Sequence, residues 1–497
     1  MNRSHRCATL GTTFEDSLTM KKQNRKRSRM SRRTLLARGL AASASLALPT
    51  LVSSRVVGTR GLPGANDRLR VAAVGMGRRG QNLIGNLPPE GRVVAICDCA
   101  QSRLAGTYRP KGKFVPILAP FLASADSKTC KRYQDARQLF DREKLDAVMI
   151  STPDHNHAFI AMLALQAGLD VYLEKPLTLT IAEGRALSDA VQRTGCVLQV
   201  GSQNRTMEMN RFACQFIRDG GIGKISHVDV PNYAGPLHPR SLEEEPIPDG
   251  LDWNLFCGPS PLRSYHRHRW VKDEYKVGDL RWRGWDLWRD YSGHLTTNWG
   301  AHSLDIVQHA LGRDLSGPVE VILRPVDDVL PLAKTYAATT PMPRTFGSNA
   351  DDDRRFWPVT LRYDDGIEIR FNPTVNDWQF HGKNGTLMMH RNRFRTDPPD
   401  LVKDGPDPQV AEKWKGFGHV CRPHVANWID CIKTRATPNA PVEIGHRSNS
   451  VCLLANLARE LGRSLRWNPE TERFVDDQDA DRRLDRPRRK GFELPVL

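Results

Sequence analysis

Two stretches of the chain hold residues that could do chemistry by their type and spacing. The first is Gly75-Met76-Gly77-Arg78-Arg79-Gly80, which follows the apolar run Val71–Val74 and opens a helical pattern. Glycines at this spacing allow a tight turn and a close backbone approach to a pyrophosphate, and the start of the following helix offers N–H donors. The next apolar run, RVVAIC, ends in Asp98, roughly 20 residues past the last glycine, where a carboxylate can accept from ribose hydroxyls. An acid there repels a 2′-phosphate and favours NAD, while Arg103 nearby keeps NADP open. The second stretch is DVYLEKPLTLT, residues 170–180. Val171, Tyr172 and Leu173 read as a buried strand, and Lys175 stands between Glu174 and Pro176. A residue before proline is held extended, so Lys175 is expected to continue the strand and reach past its end toward a nicotinamide. There it would suit the oxidation of a secondary alcohol, which sends a hydride to the cofactor and the hydroxyl proton to a base. A solvated lysine at a strand end is the competing reading.

The elements that must position these groups alternate in type. KLDAVMISTPDHNHAFIAMLALQAGLDVYLEKP reads as a strand over 146–152, a proline turn, a helix over 156–166, a stop at Gly168 and the strand that delivers Lys175. Parallel strands joined by right-handed crossovers leave a crevice at their carboxyl ends. The fold class is therefore α/β, beginning with a doubly wound parallel sheet over 67–200. His155 and His157 fall in the turn after the 146–152 strand, where Asp154 or Asn156 could equally serve as a helix cap.

Charge and composition frame the rest. The net charge of +17 across 497 residues looks like a nucleic-acid signal until it is located. Residues 1–50 alone carry eleven Lys and Arg against Glu15 and Asp16. There, Arg32 and Arg33 precede an uncharged run from Gly39 to Val52, the layout of a twin-arginine export signal. A basic tail without an address is the alternative. Residues 1–52 are thus expected to be a leader and 53–66 a linker, with an exported, periplasmic destination reached through the twin-arginine machinery. The remaining charge is too thinly spread to imply nucleic acid. Ten cysteines lie scattered, without the spacing of a disulfide scaffold or zinc site, and no local motif implies a metal.

STPDHNHA, LEKPLTLT and QVGSQN follow the glycine motif in this order, and NWGAHSLDI, FHGKNGTL and HVANWIDCIKTRATPNAPVEIGHRS come later. Together they resemble the glucose-fructose oxidoreductase / inositol dehydrogenase (Gfo/Idh/MocA) family over roughly residues 67–470. The resemblance implies a Rossmann domain followed by a C-terminal α/β domain over 201–470, with an open, mostly antiparallel mixed sheet that often builds homo-oligomers. It implies NAD(P)-dependent chemistry on sugars, cyclitols and related polyols. Exported relatives hold a cofactor that they do not release, so tight binding is expected here. Gly75, Met76, Gly77, Arg78, Gly80, Asp98, Thr152, Pro153, His157, Glu174, Lys175 and Gln203 would border the cofactor. Lys175, Tyr291, His302 and Asp305 would face the substrate.

The family's acid four residues before the histidine is replaced, since the segment reads Asn298-Trp299-Gly300-Ala301-His302. Lys175, Asn298 and His302 are then the expected catalytic set, with Asn298 orienting His302 or a substrate hydroxyl and Asp305 partly supplying the missing charge. A satisfied core histidine is the competing reading of His302. Residues 234–297, rich in Trp, Arg, His and Pro, read as loops lining a polar cleft, 343–355 as a surface loop, and 471–497 as a charged tail. The expected function is an exported oxidoreductase acting on a sugar or its derivative. The alternatives are a glycoside hydrolase or lyase that oxidises its substrate only transiently, and a catalytically weakened sugar-binding protein.

Overall fold

The structure is a computed structural model that describes residues 64, 67–105, 121, 123–270, 284–326, 353–412 and 421–497. The expected leader, nearly all of the linker, and the first part of the 343–355 loop lie outside the described residues.

Among the described residues, six strands form an all-parallel sheet in the order β3-β2-β1-β4-β5-β6. They are β1 (Leu69–Val74), β2 (Gly91–Cys97), β3 (Lys131–Tyr133), β4 (Ala147–Ile150), β5 (Asp170–Leu173) and β6 (Leu198–Val200). Every residue of β4 and β5 is buried, as expected for central strands covered on both faces. The helices between them are punctuated by local chemistry. Gly168 takes φ +72° behind the helix His157–Gln166. Thr180 caps the helix Ile181–Thr194 by accepting from the Glu183 N–H, while the Glu183 carboxylate accepts from Leu179 N in return. The strand order 3-2-1-4-5-6 is that of a dinucleotide-binding fold, whose crevice opens at the carboxyl ends of β1 and β4, where the strand order reverses.

The second sheet has nine described strands in the order β13-β12-β11-β7-β10-β9-β8-β14-β15. They are β7 (Ile225–Pro231), β8 (Glu320–Leu323), β9 (Val359–Arg362), β10 (Glu368–Asn372), β11 (Trp378–Gly382), β12 (Gly385–Met389), β13 (Phe394–Asp397), β14 (Leu465–Asn468) and β15 (Arg473–Phe474). Only β7 and β10 pair in parallel, so the sheet is mixed and mostly antiparallel. One face packs on the helices Gly300–Ala310 and Val442–Leu461. Val228, Val230 and Phe380 meet Leu304, Val307 and Leu454 in a shared core.

Three expectations change. Strand pairing ends at Leu173, and Lys175 lies in the bend beyond it, before a cis bond to Pro176, so it is not a continuation of β5. Where described, residues 234–297 are loops broken by short helical turns such as Trp253–Cys257 and the start of His294–Asn298, but they do not simply line a cleft. Leu237, Trp253, Phe256, Tyr265, Trp288 and Tyr291 bury one another in an aromatic core of their own. The 471–497 segment is docked rather than solvated. Arg486 donates to the buried Glu183 carboxylate (2.9 Å), to Ser260 Oγ (2.7 Å) and to the His155 carbonyl (2.6 Å), and Phe492 packs on Phe159. Arginine-rich sequence reads as solvent-facing, yet here Arg486 is taken up by buried acceptors.

Candidate active site

The glycine loop leaves β1 with each glycine doing a different job. Gly75 sits at φ +90°, and a Cβ there would come within 2.7 Å of the Ser151 backbone. At Gly80 a Cβ would meet the Gly75 carbonyl at 2.0 Å, so the helix Arg78–Gly85 can lie against the loop only without a side chain. Gly77 differs: its Cβ would find nothing nearer than Arg103 Nη1 at 3.8 Å. Gly77 caps that helix with no side-chain hydrogen bond. Open space beside an uncapped helix start is what a pyrophosphate needs. Asp98, at the end of β2, accepts from Met76 N (2.8 Å) and Ala100 N (2.9 Å) and lies 3.4 Å from Arg103 Nη1. Thr152 Oγ1 is buried without a hydrogen-bond partner among the described residues, a vacant polar contact beside the loop. Loop, acid and threonine thus fit a dinucleotide, with Gly77, Arg78 and the helix start at its phosphates and Asp98 at its ribose.

Other residues expected at the cofactor are taken up by protein. Glu174 is buried and accepts from Arg79 Nε (2.7 Å) and Gln203 Nε2 (3.0 Å). Gln203, also buried, donates to the Tyr172 hydroxyl as well. His157 is buried with Nδ1 on the Pro176 carbonyl (2.7 Å) and Nε2 on the Thr152 carbonyl (2.9 Å). These three tie the loop, the Pro153 turn and the Lys175 bend together.

Lys175 is partly buried, and its ammonium donates to both the Asn298 carbonyl (3.0 Å) and Asn298 Oδ1 (2.9 Å). Asn298 therefore orients the lysine, not His302. Burial pulls the Lys175 pKa below its ordinary value, against the raising pull of Glu174 and Asp154. The His302 ring, one turn along, has no hydrogen-bond partner among the described residues, and Trp299 meets it edge to face. Burial, and then the charges of Lys175, Arg391 and Arg79, hold its imidazole well below the usual range, so it is neutral near pH 7. Asp305 does not compensate for the missing acid. It is buried and held by Arg205 Nε at 2.8 Å, inside a network with Asp314 and His309. Tyr291 is likewise removed from the substrate, fully buried against His155 and Phe256.

Three groups were not visible in the sequence pattern. Asp154 lies near Lys175 and accepts from Ser292 Oγ (2.7 Å), and burial raises its pKa. Asp286 has a buried Oδ2 without a partner among the described residues, and burial, then Asp154, push it to about 7. Arg391, at φ 33°, lays its guanidinium 4.6 Å over the Trp299 ring, close enough to act on both Lys175 and His302. Its positive φ is the one local signal, and a basic run such as His390-Arg391-Asn392-Arg393 conceals it. The sheet also gathers His227, Asp229 and His381, which no local spacing could connect.

Residues 69–202 match the oxidoreductase family with an NAD-binding Rossmann fold, and residues 235–333 and 347–494 match the same family's C-terminal α/β domain. The UDP-N-acetylglucosamine 3-dehydrogenase of Acidithiobacillus ferrooxidans is 31% identical over 190 residues, which is 37% of this chain and 56% of that protein. A glycosyl hydrolase family 109 protein of Bacteroides fragilis is 30% identical over 131 residues, 26% of each chain. The chain thus spans little more than half the length of such relatives at most. The WlbA dehydrogenase of Bordetella pertussis, solved with NADH and UDP-GlcNAcA, shares the fold at a TM-score of 0.53 and 18% identity, over 81% of this chain and 99% of that one.

Proposed function

The chain belongs to the Gfo/Idh/MocA oxidoreductase family, and from that premise we propose that it is an exported, nicotinamide-dependent oxidoreductase acting on a secondary hydroxyl of a sugar, cyclitol or sugar derivative. The observation that carries this reading is the meeting of Lys175, Asn298 and a neutral, unpartnered His302 beside the glycine loop. A bound NAD, or NADP, would supply the hydride acceptor. The protein's own part is proton handling and orientation. An ammonium has three N–H groups, and Asn298 takes two of those of Lys175. The third is left to hold the substrate oxygen and stabilise charge as its proton leaves. His302, neutral and free to accept, takes that proton. Asn298 keeps the lysine aimed without adding a charge that would hold the imidazole protonated.

Arg391, with Lys175, makes this end of the site cationic, which favours a substrate with an acidic group, such as a uronate or a nucleotide sugar. Arg32 and Arg33 support export, and a protein exported folded retains the cofactor it bound in the cytoplasm. The test is direct. Mass and absorbance spectra of the purified protein should show one nicotinamide nucleotide, and sugars are then added while nicotinamide absorbance is followed. A uronate or nucleotide sugar that reduces the bound cofactor supports the reading. Protein free of nucleotide, binding NAD only at millimolar concentration, would overturn it.

The second reading, a glycoside hydrolase that passes through a keto sugar and regenerates its cofactor, is favoured by the likeness to the family 109 protein. It predicts release of an aglycone with no net change in nicotinamide absorbance.

A further inference from the structure

Strand alternation sends Val228, Val230 and Phe380 into the core and leaves their neighbours His227, Asp229 and His381 on the other face of the sheet, away from the helix that carries His302. His227 and His381 are register partners on β7 and β11, with rings stacked 4.3 Å apart at 13°. Asp229 Oδ2 lies 3.4 Å from His381 Nε2 and 3.9 Å from His227 Nε2. All three candidate ligand atoms lie within 4.8 Å of one another. Nε2 of His381 is buried and, despite that approach to Asp229, makes no hydrogen bond.

The outer nitrogens are already engaged. Ser226 Oγ lies 2.9 Å from His227 Nδ1 and donates its single proton to the His381 carbonyl (3.1 Å). With that proton on the carbonyl, the hydroxyl accepts from Nδ1–H of His227, which leaves the Nε2 lone pair facing Asp229. Thr386 Oγ1 lies 3.3 Å from His381 Nδ1, a hydrogen-bond partner for the second ring nitrogen there. Metal-bound histidines carry such a partner on the second nitrogen, which fixes tautomer and ring orientation. Arg370, the register partner of Asp229 on β10, is held off by Glu368 at 2.9 Å.

We propose that His227, Asp229 and His381 bind one divalent transition-metal ion of the zinc class, with water completing the shell. Bond lengths of about 2.0–2.2 Å place the ligand atoms of a tetrahedral zinc about 3.4 Å apart. The His381–Asp229 separation already has that value, while the other two pairs, at up to 4.8 Å, reach it when the stacked imidazoles turn so that both ring planes converge on the ion. Two imidazoles and one carboxylate select zinc, nickel, copper or cobalt over magnesium and calcium. The site lies apart from the proton-handling residues and does not depend on the redox reading.

The test uses the full chain, stripped by a chelator and titrated calorimetrically with zinc chloride, then with cobalt as an optical probe. Wild type should take up one equivalent that His381→Gln and Asp229→Asn bind at least about 10²-fold more weakly, each variant keeping the wild-type circular-dichroism spectrum as a sign of correct folding. Free cysteines can also hold zinc, so a thiolate charge-transfer band in the cobalt form assigns the ion to them and overturns the proposal. No uptake, or equal uptake by wild type and variants, overturns it as well. Should both ligand variants misfold, Ser226→Ala keeps every ligand and should weaken binding about tenfold. Unchanged affinity in that variant counts against the site.

Discussion

At the carboxyl ends of β1, β4 and β5, the candidate groups are placed by backbone. Gly75 and Gly80 are set by the space between two turns, and Lys175 by the bend that follows Leu173. On the 284–302 side they are placed by side chains whose partners lie far off in sequence. Lys175 reaches Asn298, Ser292 reaches Asp154, and Arg486 passes through the turn at His155 to Ser260 and Glu183. Backbone placement leaves a motif with fixed spacing. Side-chain placement leaves only residue types, because the spacing is decided by how distant segments meet.

The sharpest way to break this contrast is at the one residue shared by both sides. Lys175→Met should keep nucleotide bound and lower kcat by about 10²- to 10⁴-fold, the usual share of a positioned acid–base group. Near-normal turnover in steady-state assays would remove the lysine from the chemistry. Next comes Asn298→Asp, which puts a carboxylate 2.9 Å from the lysine ammonium, whose own charge already acts on His302. Negative charge favours the protonated form of both groups, so both pKa values rise. The base must be neutral to accept a proton, so the acid limb of kcat/KM for oxidation should move up by about 1–3 pH units. A steep rise in KM with an unmoved profile would instead make Asn298 a substrate contact.

Two stability measurements sharpen the same contrast with smaller effects. Arg486→Met should destabilise the fold by about 3 kcal/mol or less in denaturant titration, because buried Glu183 loses one of two cationic partners but keeps Arg488. A change within error would mean that the 471–497 segment is peripheral after all. Gly80→Ala should cost about 1–3 kcal/mol from overpacking against the Gly75 carbonyl. Gly77→Ala, with open space at its Cβ, should unfold normally and lose nucleotide affinity only. Equal melting temperatures for the two variants would erase the distinction drawn between these glycines.

Much of the parallel sheet was legible, because β1, β4 and β5 are apolar runs bounded by Gly and Pro whose periodicity is their structure. The glycine loop and Asp98 at the end of β2 were legible for the same reason, as was the mixed second sheet from the family motifs, but not that strand pairing ends at Leu173 and leaves Lys175 in the bend beyond it. Roles that depend on partners were not. Glu174 and Gln203 sit in a recognisable motif, yet Arg79, one letter inside the glycine loop, claims the carboxylate. Asp305 has the right helical offset from His302, but Arg205 holds it in the core. Tyr291 looks like a sugar-stacking aromatic until Phe256 and His155 cover it. Charge density misled at residues 471–497, since sequence shows how many arginines there are and not how many acceptors wait for them.

The docking of that segment also bears on the order in which the molecule can be completed. Glu183, the His155 turn and the outer surface of Phe159 belong to the nucleotide-binding half and are synthesised early, while Arg486, Arg488 and Phe492 leave the ribosome hundreds of residues later. Until they arrive, a buried carboxylate lacks its counter-charges and an aromatic face stays wet. The last buried contacts of this part of the nucleotide-binding half therefore form only once residues 486–492 have been made.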